Sequence, residues 1–80
     1  MHVKILGSGC TNCKNLERKV RDLVAQHGID AEITKVSEIQ DIVAYGIMRT
    51  PGLVINEVVK SVGIIPKDDQ ILGWLREVQQ

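Results

Sequence analysis

The chain has 80 residues, and its ten basic and ten acidic side chains cancel to no net charge at pH 7. This length fits one domain, residues 1–80, because a second core would need roughly another 50 residues. The chain lacks the basic cluster interleaved with aromatic residues that would indicate a nucleic-acid partner. It also lacks a stretch of the ~18–20 apolar residues that a membrane span needs. We therefore expect neither nucleic acid nor a membrane as a partner.

The first half of the chain predicts a strand, a long helix and a second strand. The β-rich run His2–Leu6 ends in the turn Gly7-Ser8-Gly9, which leads to Cys10. A helical stripe follows, and Gly28 ends it. The stripe consists of Leu16, Val20, Leu23, Val24 and His27. Residues 31–36 predict a strand whose charges on opposite faces are typical of a sheet edge.

A short second helix is predicted after this strand. Ser37 and Gln40 have the spacing of a capping box, in which both side chains bind free backbone N–H groups at the helix start. Gly46 ends the helix. The expected apolar stripe consists of Ile39, Ile42 and Val43.

The second half of the chain predicts a hairpin and a final helix. Residues 53–55 and 58–62 are rich in β-branched side chains and flank Asn56-Glu57, so they should pair as antiparallel strands. Pro66 precedes a helix over 69–78. Its apolar face is predicted to comprise Ile71, Leu72, Leu75 and Val78, with Trp74 beside it. The order β-α-β-α-β-β-α predicts an α/β fold with a four-stranded mixed sheet and helices on both faces.

Both cysteines of the chain, Cys10 and Cys13, lie at the start of the first helix. A helix N-terminus stabilises a thiolate through its unpaired N–H groups and its positive dipole end. Helical periodicity places Cys13 on the apolar stripe and Cys10 at or beyond its edge. We therefore predict a reversible disulfide in which Cys10 is the attacking thiol and Cys13 the resolving thiol.

The same cysteine spacing also suits a soft metal ion such as Cu(I) in low coordination, so metal transfer is the alternative. Heavy-metal-associated domains share this motif but end in a strand, whereas this chain is predicted to end in a helix. A closed zinc site would need four ligands, and His2 and His27 lie outside the usual spacings from the cysteines. We predict no resident metal.

Three motifs follow one another along the chain. They are Gly7-Ser8-Gly9-Cys10-Thr11-Asn12-Cys13-Lys14, Gly46-Ile47-Met48-Arg49-Thr50-Pro51 before the hairpin, and Gly63 before the last helix. Taken alone, Thr50-Pro51 reads as a turn before a strand. In this order, the motifs resemble the thioredoxin-like superfamily, and most closely its very small archaeal and bacterial redox-active disulfide proteins.

The resemblance implies that the Thr50-Pro51 bond is cis, that Pro51 faces the disulfide and that the backbone of Thr50 pairs with a bound partner. It implies two-electron exchange with protein disulfides, with a reductase as electron donor and no cofactor. The implied site neighbours are Gly9, Thr11, Asn12, Lys14, Thr50 and Pro51. We expect a monomer in the cytoplasm, since no export signal is visible.

Some positions depart from larger relatives of this superfamily. Lys4 stands six residues before Cys10, where larger thioredoxins carry a buried acid that helps deprotonate the second thiol. Gly9 replaces an aromatic residue, and Thr11-Asn12 replaces Gly-Pro. Glutaredoxins carry a Gly-Gly pair that helps hold glutathione, and only Gly63 remains of it here, so glutathione binding is not favoured.

The residues before Thr50 have two interpretations each. Arg49 is either an exposed turn charge or a cation that selects acidic targets. Ile47 and Met48 belong either to an apolar rim around the disulfide or to the core.

Overall fold

Seven secondary-structure elements occur in the predicted order in the computed structural model, which describes residues 1–79 and the side chains of residues 1–77. They are β1 (His2–Leu6), α1 (Thr11–Gln26), β2 (Glu32–Val36), α2 (Ile39–Ala44), β3 (Gly52–Ile55), β4 (Val58–Val62) and α3 (Asp68–Gln79). Within this described part of the chain, no helix has both the length and the apolar character needed to cross a membrane.

The four strands form one mixed sheet in the order β2-β1-β3-β4. β1 is parallel to β2 and antiparallel to β3, and β3 is antiparallel to β4. The predicted α/β fold with a four-stranded mixed sheet is confirmed, and β2 lies at a sheet edge as its charge pattern indicates. Because β1 is central, the turn at its carboxyl end is held by strands on both sides.

The larger core lies on the sheet face that α1 and α3 cover. Alternate residues of β1 and β3, such as Ile5 opposite Leu53, point toward these helices. The buried members are Val3, Ile5, Leu16, Val20, Leu23, Ile29, Leu53, Ile55, Ile71 and Leu75. Leu72 and Trp74 pack at its margin, whereas the side chain of Val78 lies outside the described residues.

A smaller core on the opposite face of the sheet contains Leu6, Ile42, Ile47 and Val54. The predicted apolar stripe of α2 is wrong, because Ile39 and Val43 are 71% and 58% exposed and only Ile42 is buried. The helix has six residues and reaches the sheet at one point. The loop residue Ile47 occupies this core beside Ile42, so α2 contributes a single buried side chain.

The predicted capping box at the start of α2 is also wrong. The N-cap is Glu38, whose carbonyl accepts the first helical hydrogen bond from the Ile42 N–H at 3.0 Å. The Glu38 side chain makes no capping bond. The helix therefore starts one residue later than the sequence pattern predicts, and Ser37 is left exposed outside it. Gly46 ends the segment as predicted, with a φ of 80°.

The hairpin turn places two non-glycine residues in the left-handed region, Asn56 at φ 48° and Glu57 at φ 68°. Such a turn matches the twist of the paired strands, and Asn accepts it readily. Glutamate accepts it less readily, but its carboxylate lies 2.6 Å from the ammonium of Lys4 and accepts a hydrogen bond from the Tyr45 hydroxyl at 3.1 Å. These bonds tie the hairpin turn to β1 and to the end of α2.

Replacing Ser61 by alanine is expected to stabilise the protein. The Ser61 hydroxyl is buried in β4 and has no hydrogen-bond partner among the described residues. Removing an unsatisfied buried hydroxyl should raise the free energy of unfolding by about 1 kcal/mol, measured by urea denaturation. The control is Ser37→Ala, which should change the unfolding free energy by less than about 0.5 kcal/mol because Ser37 caps no helix. A larger loss of unfolding free energy in Ser37→Ala would contradict the conclusion that Ser37 does not cap α2.

The ion pair between Lys4 and Glu57 predicts a pH-dependent effect of Glu57→Gln. Hydrogen bonds from Lys4 and then Tyr45 lower the pKa of the Glu57 carboxyl. The bonds to Glu57 and then Tyr45 raise the pKa of Lys4. The native protein should therefore be more stable than Glu57→Gln above the ordinary glutamate pKa of ~4.3, and also below the ordinary lysine pKa of ~10.4.

The difference should disappear as pH falls through the lowered pKa of Glu57, and again as pH rises through the raised pKa of Lys4. Urea midpoints measured across this range test both limits. Glu32→Gln is the matched control, because Glu32 is exposed and makes no ion pair among the described residues. A stability gap that is equal at acidic and neutral pH would contradict the assigned role of the Glu57 charge.

Candidate active site

A disulfide joins Cys10 and Cys13 at the N-terminus of α1, with their Cα atoms 5.1 Å apart. Cys10 is the N-cap residue, and its extended backbone leads from the Gly9 turn into the helix. The backbone N–H of Cys13 points at Cys10 Sγ at 3.2 Å, and the N–H of Lys14 donates to the Cys10 carbonyl at 3.0 Å. Cys10 therefore caps the helix with its sulfur, which accepts the N–H that a side-chain oxygen accepts in most N-caps.

The two sulfurs differ in accessibility. Cys13 is only 5% exposed and follows the helical spacing of the buried residues Leu16 and Val20. Cys10 is exposed, as are Thr11, Asn12 and Lys14. The predicted asymmetry in burial is confirmed, and it means that a large partner reaches the disulfide from the side of Cys10.

The local charge favours an anionic sulfur at Cys10. The first turn of α1 contains no acidic residue, and Lys14 adds an exposed cation. The free N–H groups and positive dipole end of the 16-residue helix act on the same position. The charges and dipoles that act on Cys10 are therefore positive.

Gly7 determines how closely the helix approaches the end of β1, and sequence analysis missed it. A Cβ atom on Gly7 would overlap Cys13 Sγ and lie 2.9 Å from Cys13 Cβ. The Gly7 N–H donates to the Val36 carbonyl at 2.8 Å, which extends the pairing with β2 and leaves the backbone no freedom to move away. In the sequence, Gly7 looks like an ordinary turn glycine, because the contact with Cys13 depends on the packing of α1.

Thr50 lies near Cys13 at the end of β1, and Pro51 is the next residue in the chain. The Thr50–Pro51 bond is cis, as the resemblance implies. The Pro51 ring is buried while Thr50 is exposed. A Cβ on Gly7 would be 3.9 Å from Thr50 Cβ, so Thr50 and Cys13 border the same point. The Pro51 carbonyl accepts a hydrogen bond from the Gly63 N–H at 2.8 Å, which joins the end of β4 to this segment.

The structure separates the two residues before Arg49. Ile47 belongs to the smaller core and is 4% exposed, and a Cβ on Gly52 would be 2.6 Å from its Cδ1. Met48 is 96% exposed. The core interpretation is therefore correct for Ile47, and Met48 is surface.

Lys4 does not lie under the thiols. It points to the sheet face opposite α1, where its ammonium is 2.6 Å from both the Tyr45 hydroxyl and Glu57 Oε1. Its neighbours in the strand, Val3 and Ile5, pack on the α1 face. The position six residues before Cys10 therefore serves the hairpin turn in this protein.

The two histidines are far from the cysteines along their elements. His2 starts β1 and its Nε2 is 2.9 Å from the Thr34 hydroxyl, and His27 is the C-cap at the opposite end of α1 from Cys10. Among the described residues, no three or more His, Cys, Asp or Glu side chains are grouped as metal ligands. The soft-metal alternative receives no support from this arrangement.

Gly7→Ala tests the close approach of Cys13. The added methyl group has no space beside Cys13, so we expect a loss of about 1–3 kcal/mol in unfolding free energy, the range for overpacked cores. Gly73→Ala is the matched control: a Cβ there meets nothing within 4 Å, and the helix α3 should gain about 0.5–1 kcal/mol. Urea denaturation of both variants gives the comparison. An unchanged midpoint in Gly7→Ala would contradict the proposed packing.

Comparison with known proteins agrees with the fold and the disulfide. A family model described as "Thioredoxin domain" matches residues 1–76. A protein named thioredoxin from Methanothermobacter thermautotrophicus is 37% identical over 71 residues, which cover 89% of this chain and 92% of that protein. A second thioredoxin, from Methanocaldococcus jannaschii, is 35% identical over 74 residues, or 92% of this chain and 85% of that protein.

The residues that the family model matches include the first strand, the cysteine-bearing helix and the cis-proline segment. The cysteines within them are joined as a disulfide at the helix N-terminus, where one sulfur is exposed and the other shielded. The chain therefore belongs to the thioredoxin domain family, and it is a thiol-disulfide oxidoreductase whose redox disulfide is Cys10–Cys13.

Proposed function

We propose that Cys10 attacks the disulfide of a protein substrate and that Cys13 resolves the resulting mixed disulfide. The observation that carries this proposal is the unequal exposure of the two sulfurs on one helical turn. An attacking thiolate must reach a sulfur of another protein, whereas a resolving thiol needs to reach only the adjacent cysteine. Cys10 meets the first requirement and Cys13 the second.

The exchange proceeds in two balanced steps. The Cys10 thiolate forms a bond to one substrate sulfur, the substrate disulfide breaks, and the second substrate sulfur leaves as a thiolate that takes up a proton. Cys13 then loses its proton and attacks Cys10 Sγ, the bond between Cys10 and the substrate breaks, and the first substrate sulfur leaves as a thiolate that takes up a proton. The substrate has gained two electrons and two protons, and the Cys10–Cys13 disulfide has formed.

We propose that the partner chain lies against Gly9, Thr11, Asn12, Lys14 and Thr50, with Pro51 positioning Thr50 within this surface. Thr50 is exposed and borders Cys13, which supports backbone pairing with an extended segment of the partner. The Pro51 ring is buried, so its role in this proposal is to set the direction of the chain at Thr50. Gly9, with a φ of 93°, turns the chain away before Cys10 and leaves the sulfur open.

We also propose how the protein is reduced again, where it works and in which oligomeric state. Each turnover leaves the cysteine pair oxidised, so a reductase returns two electrons. We propose a cytoplasmic monomer in which residues 1–80 act as one domain without a resident metal or cofactor. Both cysteines are paired with each other, which leaves no thiol for a disulfide between chains in the oxidised state.

Single cysteine variants test the assigned roles. Cys13→Ser keeps the exposed thiol and lacks the resolving one, so it should accumulate a mixed disulfide when mixed with oxidised insulin. Cys10→Ser should not, and both should lose catalytic insulin reduction with dithiothreitol. Mass spectrometry under non-reducing conditions measures the adducts, and the variant lacking both cysteines is the control. Accumulation only in Cys10→Ser would reverse the assignment.

A thiol-trapping redox titration tests the function as a whole. It should give a two-electron midpoint. The midpoint potential shows whether the protein works as a reductant, near the ~−270 mV of thioredoxin, or as an oxidant nearer ~−120 mV. Purified protein that held stoichiometric copper or zinc, showed no midpoint and failed to reduce insulin would contradict the oxidoreductase proposal.

A further inference from the structure

Arg49 has a defined seat beside the cis peptide bond. It precedes Thr50, and its aliphatic chain lies across Gly63, where an added Cβ would be 3.0 Å from Arg49 Cβ and 3.2 Å from Arg49 Cδ. Gly63 has a φ of 74°, and its N–H is bonded to the Pro51 carbonyl. The stem of Arg49 therefore rests on the same backbone that holds the cis-proline segment, which limits the positions its exposed guanidinium can reach.

The seat of Arg49 lies one residue along the chain from the position that borders the redox pair. Thr50, the next residue, borders Cys13 through the space that Gly7 leaves open. Arg49 makes no ion pair among the described residues. Arg49 is therefore an exposed cation one residue from Thr50, with its stem packed and no ion pair among the described residues, and it is available to a partner.

Three segments carry the disulfide and the backbone that adjoins it through Thr50, Pro51 and Gly63, and we call them the active-site rim: residues 7–14, 47–52 and 62–65. Their only charged residues are Lys14 and Arg49, both cationic, although the whole chain has no net charge. The first acidic residues after the first and third segments are already engaged: Glu17 pairs with Arg21, and Asp68 pairs with Lys19. The charge of the rim is therefore locally positive in a neutral protein.

The rim also exposes apolar surface. Met48 is 96% exposed and Ile64 is 58% exposed, and both lie directly beside the seat of Arg49 in the chain, next to Arg49 and Gly63 respectively. A polypeptide segment can cover these side chains while its acidic groups meet the cations. A small disulfide has less surface with which to do both.

We propose that Arg49 is a specificity-determining residue that favours polypeptide disulfides with acidic residues beside the reacting cysteine. This inference rests on the proposed function, since it names the substrate class of the same site. Opposite charge at the rim speeds encounter and stabilises the mixed disulfide on Cys10, and both effects weaken as salt screens exposed charges. Lys14 contributes to the same field from the helix side.

The test uses short disulfide-bonded peptides that differ only in the residues flanking one cysteine, which are Asp, Asn or Lys. The reduced protein is mixed with each peptide, and the second-order rate of reduction is measured by rapid-quench thiol trapping. The readout is the ratio of the Asp rate to the Asn rate, because a general loss of activity cancels in it. Native protein should show a ratio of about twofold to fivefold at low salt, the effect of one exposed ion pair.

Arg49→Gln should bring the Asp-to-Asn ratio close to one, and Arg49→Lys should retain most of it because the charge remains. Arg76→Gln is the matched control, since it removes the same charge from the last turn of α3 and should leave the ratio unchanged. High salt should reduce the ratio of the native protein toward one. Thermal unfolding of each variant checks that the fold is retained.

Two results would overturn the inference. One is an unchanged Asp-to-Asn ratio in Arg49→Gln. The other is an equal fall of this ratio in Arg76→Gln, which would indicate that the net charge of the protein, and not the position of Arg49, sets the preference. If Arg49→Gln slowed only oxidised glutathione and not the acidic peptide, the polypeptide class would be wrong. Failure of the native protein to reduce the Asn peptide at all would instead contradict the proposed function.

Discussion

The contact between Cys13 and the backbone of Gly7 is the packing constraint on which the position of the redox pair depends. β1 is central in the sheet, and its carboxyl end is fixed by the bond from Gly7 to the Val36 carbonyl. α1 is fixed independently by Leu16 and Val20 in the larger core. The two elements meet where a side chain on Gly7 would collide with Cys13. The absence of that side chain lets the helix begin against the strand, so Cys13 is shielded while Cys10, one turn earlier, remains open.

The two faces of the sheet bury different numbers of aliphatic side chains. α1 and α3 bury most of the aliphatic residues on one face, while the short α2 contributes only Ile42 to the other. The thin cover on the second face leaves room for the polar group of Lys4, Tyr45 and Glu57, which secures the hairpin turn. This arrangement explains why a lysine is tolerated at the position before the cysteines where larger thioredoxins carry an acid. Its charge is neutralised on the far side of the sheet, away from the disulfide.

Besides the end of β1 and the start of α1, the site contains the loop between α2 and β3 and the end of β4. The bond between Gly63 and Pro51 joins these segments, and Arg49 lies over Gly63. In the proposed complex, residues distant in the chain present one surface to the partner: the exposed sulfur, the backbone at Thr50, and the Arg49 cation with the exposed side chains of Met48 and Ile64. The cysteines perform the thiol-disulfide exchange, and we propose that the segments around them select the substrate.

The sequence by itself determined the order of the elements, the pairing of Cys10 with Cys13 and the unequal burial of the two, because periodicity and spacing act over a few residues. It also indicated the edge position of β2 and, through resemblance, the cis bond before Pro51. Local pattern failed at α2, where Ser37 does not cap and Ile39 and Val43 are exposed. Only the tertiary structure decided the need for glycine at position 7, the direction of Lys4 and the seat of Arg49 on Gly63. Each depends on contacts between residues far apart in the chain, and no local spacing encodes them.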